Sequence, residues 1–175
     1  MLIKTFKQFK QTDLTSCDKI IVQLKGNSIE QKQSQQIAQK LLGCPKLKIL
    51  ELNLSNNQLG ANSISFISTS LSQCQLLDSL YLDLSQNFIG LTGIANLVEN
   101  LSKCQSLSIL KIDISQNDKI LSQSFNALGN GLRSFKRLTT LNLIFEKDKI
   151  SQGEMIHFNQ KIKKTIRLVQ IKNNN

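Results

Sequence analysis

Leu47-Lys-Ile-Leu-Glu-Leu-Asn-Leu-Ser-Asn-Asn-Gln-Leu-Gly60 returns thirty residues later as Leu77-Asp-Ser-Leu-Tyr-Leu-Asp-Leu-Ser-Gln-Asn-Phe-Ile-Gly90. Thirty further on it reads Leu107-Ser-Ile-Leu-Lys-Ile-Asp-Ile-Ser-Gln-Asn117, and thirty back lies Ile20-Ile-Val-Gln-Leu-Lys-Gly-Asn-Ser-Ile29, with Cys17 in the leading Leu slot. Leu138-Thr-Thr-Leu-Asn-Leu-Ile-Phe-Glu-Lys-Asp148 fits after one extra residue in the Asp118-Lys119 turn. Self-similarity at such a period is the signature of stacked supersecondary units, each too small to bury its apolar face alone.

Within each copy apolar and other residues alternate, the mark of a strand buried on one side. Ile20, Val22 and Leu24 point inward, as do Leu50, Leu52 and Leu54; Leu80, Leu82 and Leu84; Leu110, Ile112 and Ile114; and Leu141, Leu143 and Phe145. Between strands the period becomes helical, with apolar residues at i, i+3 and i+7. Ile64, Ile67 and Leu71 recur as Ile94, Leu97 and Leu101, then Phe125, Leu128 and Leu132, then Met155, Phe158 and Ile162. The first unit keeps Ile37 and Leu41 but has Ser34, a weaker core position suited to an end.

The pattern Leu-x-x-Leu-x-Leu-x-Leu-Ser-x-Asn-x-(Leu/Ile)-Gly, carried best by residues 47–60 and 77–90, resembles the leucine-rich repeat proteins of the long, cysteine-containing, ribonuclease-inhibitor-like class. The resemblance spans about residues 14–171 and departs from the pattern at Asp148, which replaces Asn, and at Glu30, Leu121 and Ser151, where Gly60 and Gly90 sit. It implies an α/β solenoid of about five repeats of 30 residues, with parallel strands on the concave face and helices on the convex face. Residues 1–13, with Phe6 and Phe9, are expected to cap the amino-terminal end, and residues 14–175 to form the solenoid as a single domain. Leu168 and Ile171 fall at the next two strand positions, so a sixth strand is expected there before Asn173-Asn174-Asn175. That class spans inhibitors, GTPase regulators, sensors and scaffolds, and the fold alone does not choose among them.

Composition narrows the choice. Of 175 residues 40% are apolar and 19% charged, a globular balance, while Trp is absent and Tyr81 is the only tyrosine, which argues against an aromatic-lined cofactor pocket. Gln and Asn total 34 but fall at periodic places, so they mark no low-complexity tract. The net charge of +10 is uneven: +6 over residues 1–48, −3 over 49–130 and +7 over 131–175. Basic ends can attract nucleic acid, anionic lipid or acidic protein, but most of the Lys stand singly and read as solubilising surface. No apolar run reaches the roughly 18 residues of a membrane span. The Lys-interrupted start Met1-Leu-Ile-Lys-Thr-Phe-Lys-Gln-Phe-Lys10 lacks the apolar core and cleavage site of a secretory signal. A mitochondrial presequence would ordinarily hold Arg, and cytoplasm is the default expectation.

Candidate chemistry dissolves into structure when read by slot. Cys44, Cys74 and Cys104 lie three residues before each leading Leu, and Phe135 and Thr165 hold that place later. A position that accepts Cys, Phe or Thr is a packing site, and nothing resembles a Cys-x-x-Cys zinc pair. Asn27, Asn57, Asn87 and Asn117 follow the strands where the chain turns sharply; an amide that both donates and accepts can satisfy the backbone there, and stacked copies would form a ladder. Asp148 can only accept when ionised, which predicts a looser fifth turn. His157, the one histidine, stands beside Phe158 with no positioned nucleophile or acid, and reads as a solvated helix residue. Gly129-Asn-Gly131 lacks the spacing and Lys of a phosphate loop. No catalytic, metal or cofactor site is expected, and no small-molecule substrate.

Binding is then expected on the concave floor, in three columns: Ile21, Glu51, Tyr81, Lys111 and Asn142; Gln23, Asn53, Asp83, Asp113 and Ile144; and Lys25, Ser55, Ser85, Ser115 and Glu146. Tyr81 is its one large aromatic, and tyrosine is enriched at binding hot spots. Glu51, Asn53, Tyr81, Asp83, Lys111 and Asp113 are accordingly the expected contact centre of a non-catalytic protein-binding or scaffold module. Contact through the ends in a larger assembly is the other route. A regulator of an enzyme, of GTPase-activating or inhibitor type, is the alternative function; nucleic-acid binding is disfavoured by the acidic floor and few aromatics.

Overall fold

The computed structural model describes residues 1–117, 122–145, 151–162 and 168–173, the side chains of 122–125 and 168–173 excepted. One parallel sheet runs through it in chain order, β1-β2-β3-β4-β5-β6-β7. Its strands are β1 (Leu2–Ile3), β2 (Lys19–Gln23), β3 (Ile49–Asn53), β4 (Ser79–Asp83), β5 (Ile109–Asp113), β6 (Thr140–Phe145) and β7 (Leu168–Asn173). Six helices alternate with them: α1 (Phe6–Gln11), α2 (Gln31–Leu42), α3 (Ala61–Ser72), α4 (Gly90–Leu101), α5 (Ser122–Leu132) and α6 (Gln152–Ile162). This is an α/β architecture of parallel strands and flanking helices, consistent with a leucine-rich-repeat-type fold.

The arithmetic of the sequence becomes the register of the sheet. Ile20 pairs with Leu50, Leu50 with Leu80 and Leu80 with Leu110, each thirty residues on, and Leu110 pairs with Leu141 across the one-residue insertion. Every inward strand residue named above is buried, from Ile20 through Phe145. Helix positions Ile64, Ile67, Leu71, Ile94, Leu97, Leu101, Leu128, Leu132, Phe158 and Ile162 are buried against them, and Met155 packs on the same core half-buried. Ser34 is fully buried too, its hydroxyl donating to the Glu30 carbonyl at 2.8 Å, so α2 hides a polar atom where α3 and α4 place Ile64 and Ile94.

Two details differ from the sequence expectation. Thirty-residue counting would set Leu168 and Ile171 beside Leu138 and Leu141; instead Leu168 pairs with Thr140, Val169 with Leu141 and Ile171 with Leu143. The last connection is two residues shorter, and the strand slides to keep alternation in step, since a one-residue slip would invert every side chain. At the other end Leu2–Ile3 adds a short parallel strand beside Ile21–Val22, and Ile3, Phe9 and Leu14 are buried behind it.

The turn after each strand has its own requirement. Gly26, Asn56, Gln86 and Gln116 occupy one slot and all have φ between 54° and 64°, the left-handed region. Glycine adopts it freely; Asn tolerates it and Gln pays for it. Asn57, Asn87 and Asn117 follow at once. Asn87 Nδ2 donates to the carbonyls of Leu54, Leu84 and Ser85 at 3.0 Å each, and its Oδ1 accepts from Leu59 N at 3.0 Å. Asn57 makes the same bonds to Leu24, Leu54, Ser55 and Ile29, and Asn117 to Leu84, Ile114, Ser115 and Ile89. The expected ladder therefore exists, but Asn27 is not a rung: it is half-buried and donates only to Lys25 O at 3.1 Å. The two-residue β1 supplies no preceding turn for it to reach. Asp148 and Leu121 lie outside the described residues.

Candidate functional site: the strand floor

The same alternation that buries one set of strand residues places the other set side by side on the opposite face. Ile21, Glu51, Tyr81, Lys111 and Asn142 are consecutive Cα partners across five strands, and so are Gln23, Asn53, Asp83, Asp113 and Ile144. Parallel strands stand roughly 4.8 Å apart, so neighbours within a column are in side-chain contact range. A shallow cavity of about 250 Å³ opens between the columns. All six residues singled out from the sequence line it, with Gln23 and Ile144 at its margins.

The six are not equivalent. Tyr81 is 36% exposed, and Lys111 is exposed beside it. Glu51 is engaged by Lys19 at 3.1 Å, the only ion pair on the floor among the described residues. Asn53, Asp83 and Asp113 share a local task that the column reading missed. Asp83 Oδ1 accepts from Ser85 N at 3.1 Å and from Ser85 Oγ at 2.7 Å. Asp113 does so from Ser115 at 2.9 and 2.6 Å, and Asn53 from Ser55 at 2.9 and 2.7 Å. These are Asx turns, in which a short polar side chain imitates the backbone.

These bonds divide the third column. Ser55 and Ser115 are 2% exposed and turned under the rim, Ser85 is half-buried and Lys25 exposed; Glu146 lies outside the described residues. The signal was present in the sequence as Asn-x-Ser at 53–55 and Asp-x-Ser at 83–85 and 113–115. Burial pushes the Asp113 carboxyl above its ordinary pKa against the lowering pull of the Ser115 bonds, with the Asp83 charge adding to the rise and Lys111 opposing it. Asn142 Oδ1, at the far end of the first column, is buried with no hydrogen-bond partner among the described residues.

The remaining candidates stay structural. Cys44, Cys74 and Cys104 are buried, and burial is the first cause of their raised pKa, about 11 for Cys74 and about 12 for Cys104. Their thiols donate weakly to helix-end carbonyls, Cys104 Sγ to Leu71 O at 3.3 Å. Phe135 fills the same slot at 4% exposure, while Thr165 lies outside the described residues. His157 is exposed. Among the described residues no three His, Cys, Asp or Glu side chains gather as a metal site, and no helix is long and apolar enough to cross a membrane.

No family model matches the chain, and no curated protein sequence does. Solved structures do. Leiomodin-1 actin-binding site 2 superposes with a TM-score of 0.64 at 16% identity, covering 90% of this chain and 85% of its own. The tropomodulin C-terminal domain of Caenorhabditis elegans gives 0.63 at 10% identity, covering 90% and 89%. What is shared is the fold. At such identity no side chain carries over, and the floor of this protein has to be read from its own residues.

Proposed function

We propose that this chain is a non-catalytic protein-binding module, a leucine-rich-repeat solenoid of about five repeats of the ribonuclease-inhibitor-like class. Residues 1–13 serve as its amino-terminal cap, and a protein partner docks on the strand floor around Tyr81. The observation that supports this reading best is the convergence of Glu51, Asn53, Tyr81, Asp83, Lys111 and Asp113 on one shallow cavity of the sheet face. An open, mixed-charge depression with a single aromatic fits a protein surface better than a small substrate, which would want an enclosed apolar pocket. The leiomodin-1 structure bears the name actin-binding site 2, so actin is the first partner to try.

The test starts from capture of the partner out of the cell of origin, or from purified actin, followed by titration with the intact chain. Tyr81→Ala removes the exposed ring from the floor and leaves the Asx turns whole. We expect an unchanged melting midpoint and binding weakened well over tenfold, because truncating one hot spot alone costs about 2 kcal/mol or more. A variant that binds like the parent removes the floor from the reading.

A further inference from the structure

The floor carries more negative charge than its architecture needs. Asp83 and Asp113 are direct Cα partners on adjacent strands, and like charges placed opposite each other are destabilising. Neither has an ion pair among the described residues, whereas Glu51, in the neighbouring column, is matched by Lys19. Asn53 supplies an internal control. In the same slot on β3, a neutral amide accepts the same two bonds from its serine, at distances within 0.2 Å of those at Asp83. The turn therefore asks for an acceptor oxygen, not for a charge.

What the charges do is visible only in relation to the whole chain. The cavity is lined by three carboxylates and one amine, in a protein of net charge +10 whose two ends are both basic. The acidic floor is thus a local reversal of sign. Beside it, two residues back on β4, stands the partly exposed Tyr81, at a separation of roughly 7 Å along the strand. An aromatic ring next to carboxylates is the setting in which a guanidinium or ammonium group is held by the ring face and the anions together.

We propose that the partner protein presents an arginine or lysine side chain to this floor, seated between Tyr81 and the Asp83–Asp113 pair. The inference rests on the floor reading above and adds to it the chemistry of the occupant. The oxygens not bonded to Ser85 and Ser115 receive the cation, and Lys111 sets the limit of the acidic patch on the β5 side. A partner with an acidic docking face is repelled, and so would be a nucleic-acid backbone.

The test uses the intact, isotope-labelled chain at low salt and two blocked pentapeptides, one with two arginines and one with citrulline in their place. Citrulline keeps the shape and removes the charge. The arginine peptide is expected to shift the backbone amides of 51–53, 81–83 and 111–113 saturably, and the citrulline peptide to leave them in place. Asp83→Asn with Asp113→Asn should weaken arginine-peptide binding at least tenfold, with a melting midpoint equal to or above the parent's, since Asn53 shows that the amide keeps the turn. Equal response to both peptides, shifts confined to other surfaces, or a double Asn variant that binds as well as the parent would each overturn the inference. The two readings fail separately: a protein partner lost with Tyr81→Ala but retained by the double Asn variant leaves the floor standing and dismisses the cation.

Discussion

Asn87 and Asn27 occupy equivalent places in the sequence and unequal ones in the molecule, and that contrast is the sharpest residue-level expectation. Asn87 is 2% exposed and links four backbone groups, whereas Asn27 touches one. Leaving a buried backbone group without its partner costs about 1–3 kcal/mol. Asn87→Leu should therefore lower unfolding free energy by a few kcal/mol in denaturant titration, and Asn27→Leu by well under 1 kcal/mol. Equal losses would mean that the turns are not organised by the ladder. The cysteines make a second contrast. Thiolates react and thiols do not, and a pKa near 11 for Cys74 against an ordinary 9.0 lowers the thiolate fraction at pH 8 roughly a hundredfold. Half-buried Cys17 should label first in the native protein, with Cys44, Cys74 and Cys104 following only on denaturation. Prompt native labelling of all four, read by mass, would contradict their packing role.

At the level of elements, the spacing of helices is set by what they lack. A Cβ at Gly131 on α5 would run into the Val98 side chain on α4, and one at Gly129 would press on Phe158 of α6 at 3.2 Å. Gly131→Ala gains helix propensity of about 1 kcal/mol in isolation but overpacks the α4–α5 seam, at about 1–3 kcal/mol. A net loss of stability is expected, and a Val98→Ala background should recover much of it, read as thermal midpoints of the single and double variants. Neither glycine advertises this in the sequence, where Gly129-Asn-Gly131 shows only that it lacks the spacing of a phosphate loop. Strands and helices themselves were legible because burial imposes periods of two and of 3.6, and Leu50, Leu52 and Leu54 or Ile64, Ile67 and Leu71 display them without ambiguity. The β7 register was not legible, since Val169 and Ile171 satisfy alternation as well as Leu168 and Ile171 satisfy thirty-residue counting. Only the length of the connection before them decides.

Across the whole molecule, the sequence announced where the floor would be but not which of its side chains were spoken for. Column membership follows from alternation alone, so Glu51, Tyr81 and Lys111 could be placed in advance. The engagement of Asp83 with Ser85 depends on a turn geometry two residues away, and the pairing of Glu51 with Lys19 joins positions thirty-two apart. The first is signalled by the Asn/Asp-x-Ser spacing that recurs with the repeat; the second joins two strands outside that period, and a one-dimensional period does not report it. The distribution of charge belongs to this scale as well, because +6, −3 and +7 along the chain become basic ends and an acidic centre only when the strands line up in order.

The asparagine rungs all point the same way. Asn57 closes the turn that holds Leu24 and Ile29, Asn87 the one that holds Leu54 and Leu59, Asn117 the one that holds Leu84 and Ile89. Each loop of backbone is thus finished by a side chain made about thirty residues after it. On a ribosome, synthesis at about 5–20 residues per second would leave every newly emerged loop open for a few seconds until its successor arrived. These three turns are completed with a lag of one unit, each by a side chain of the part translated next.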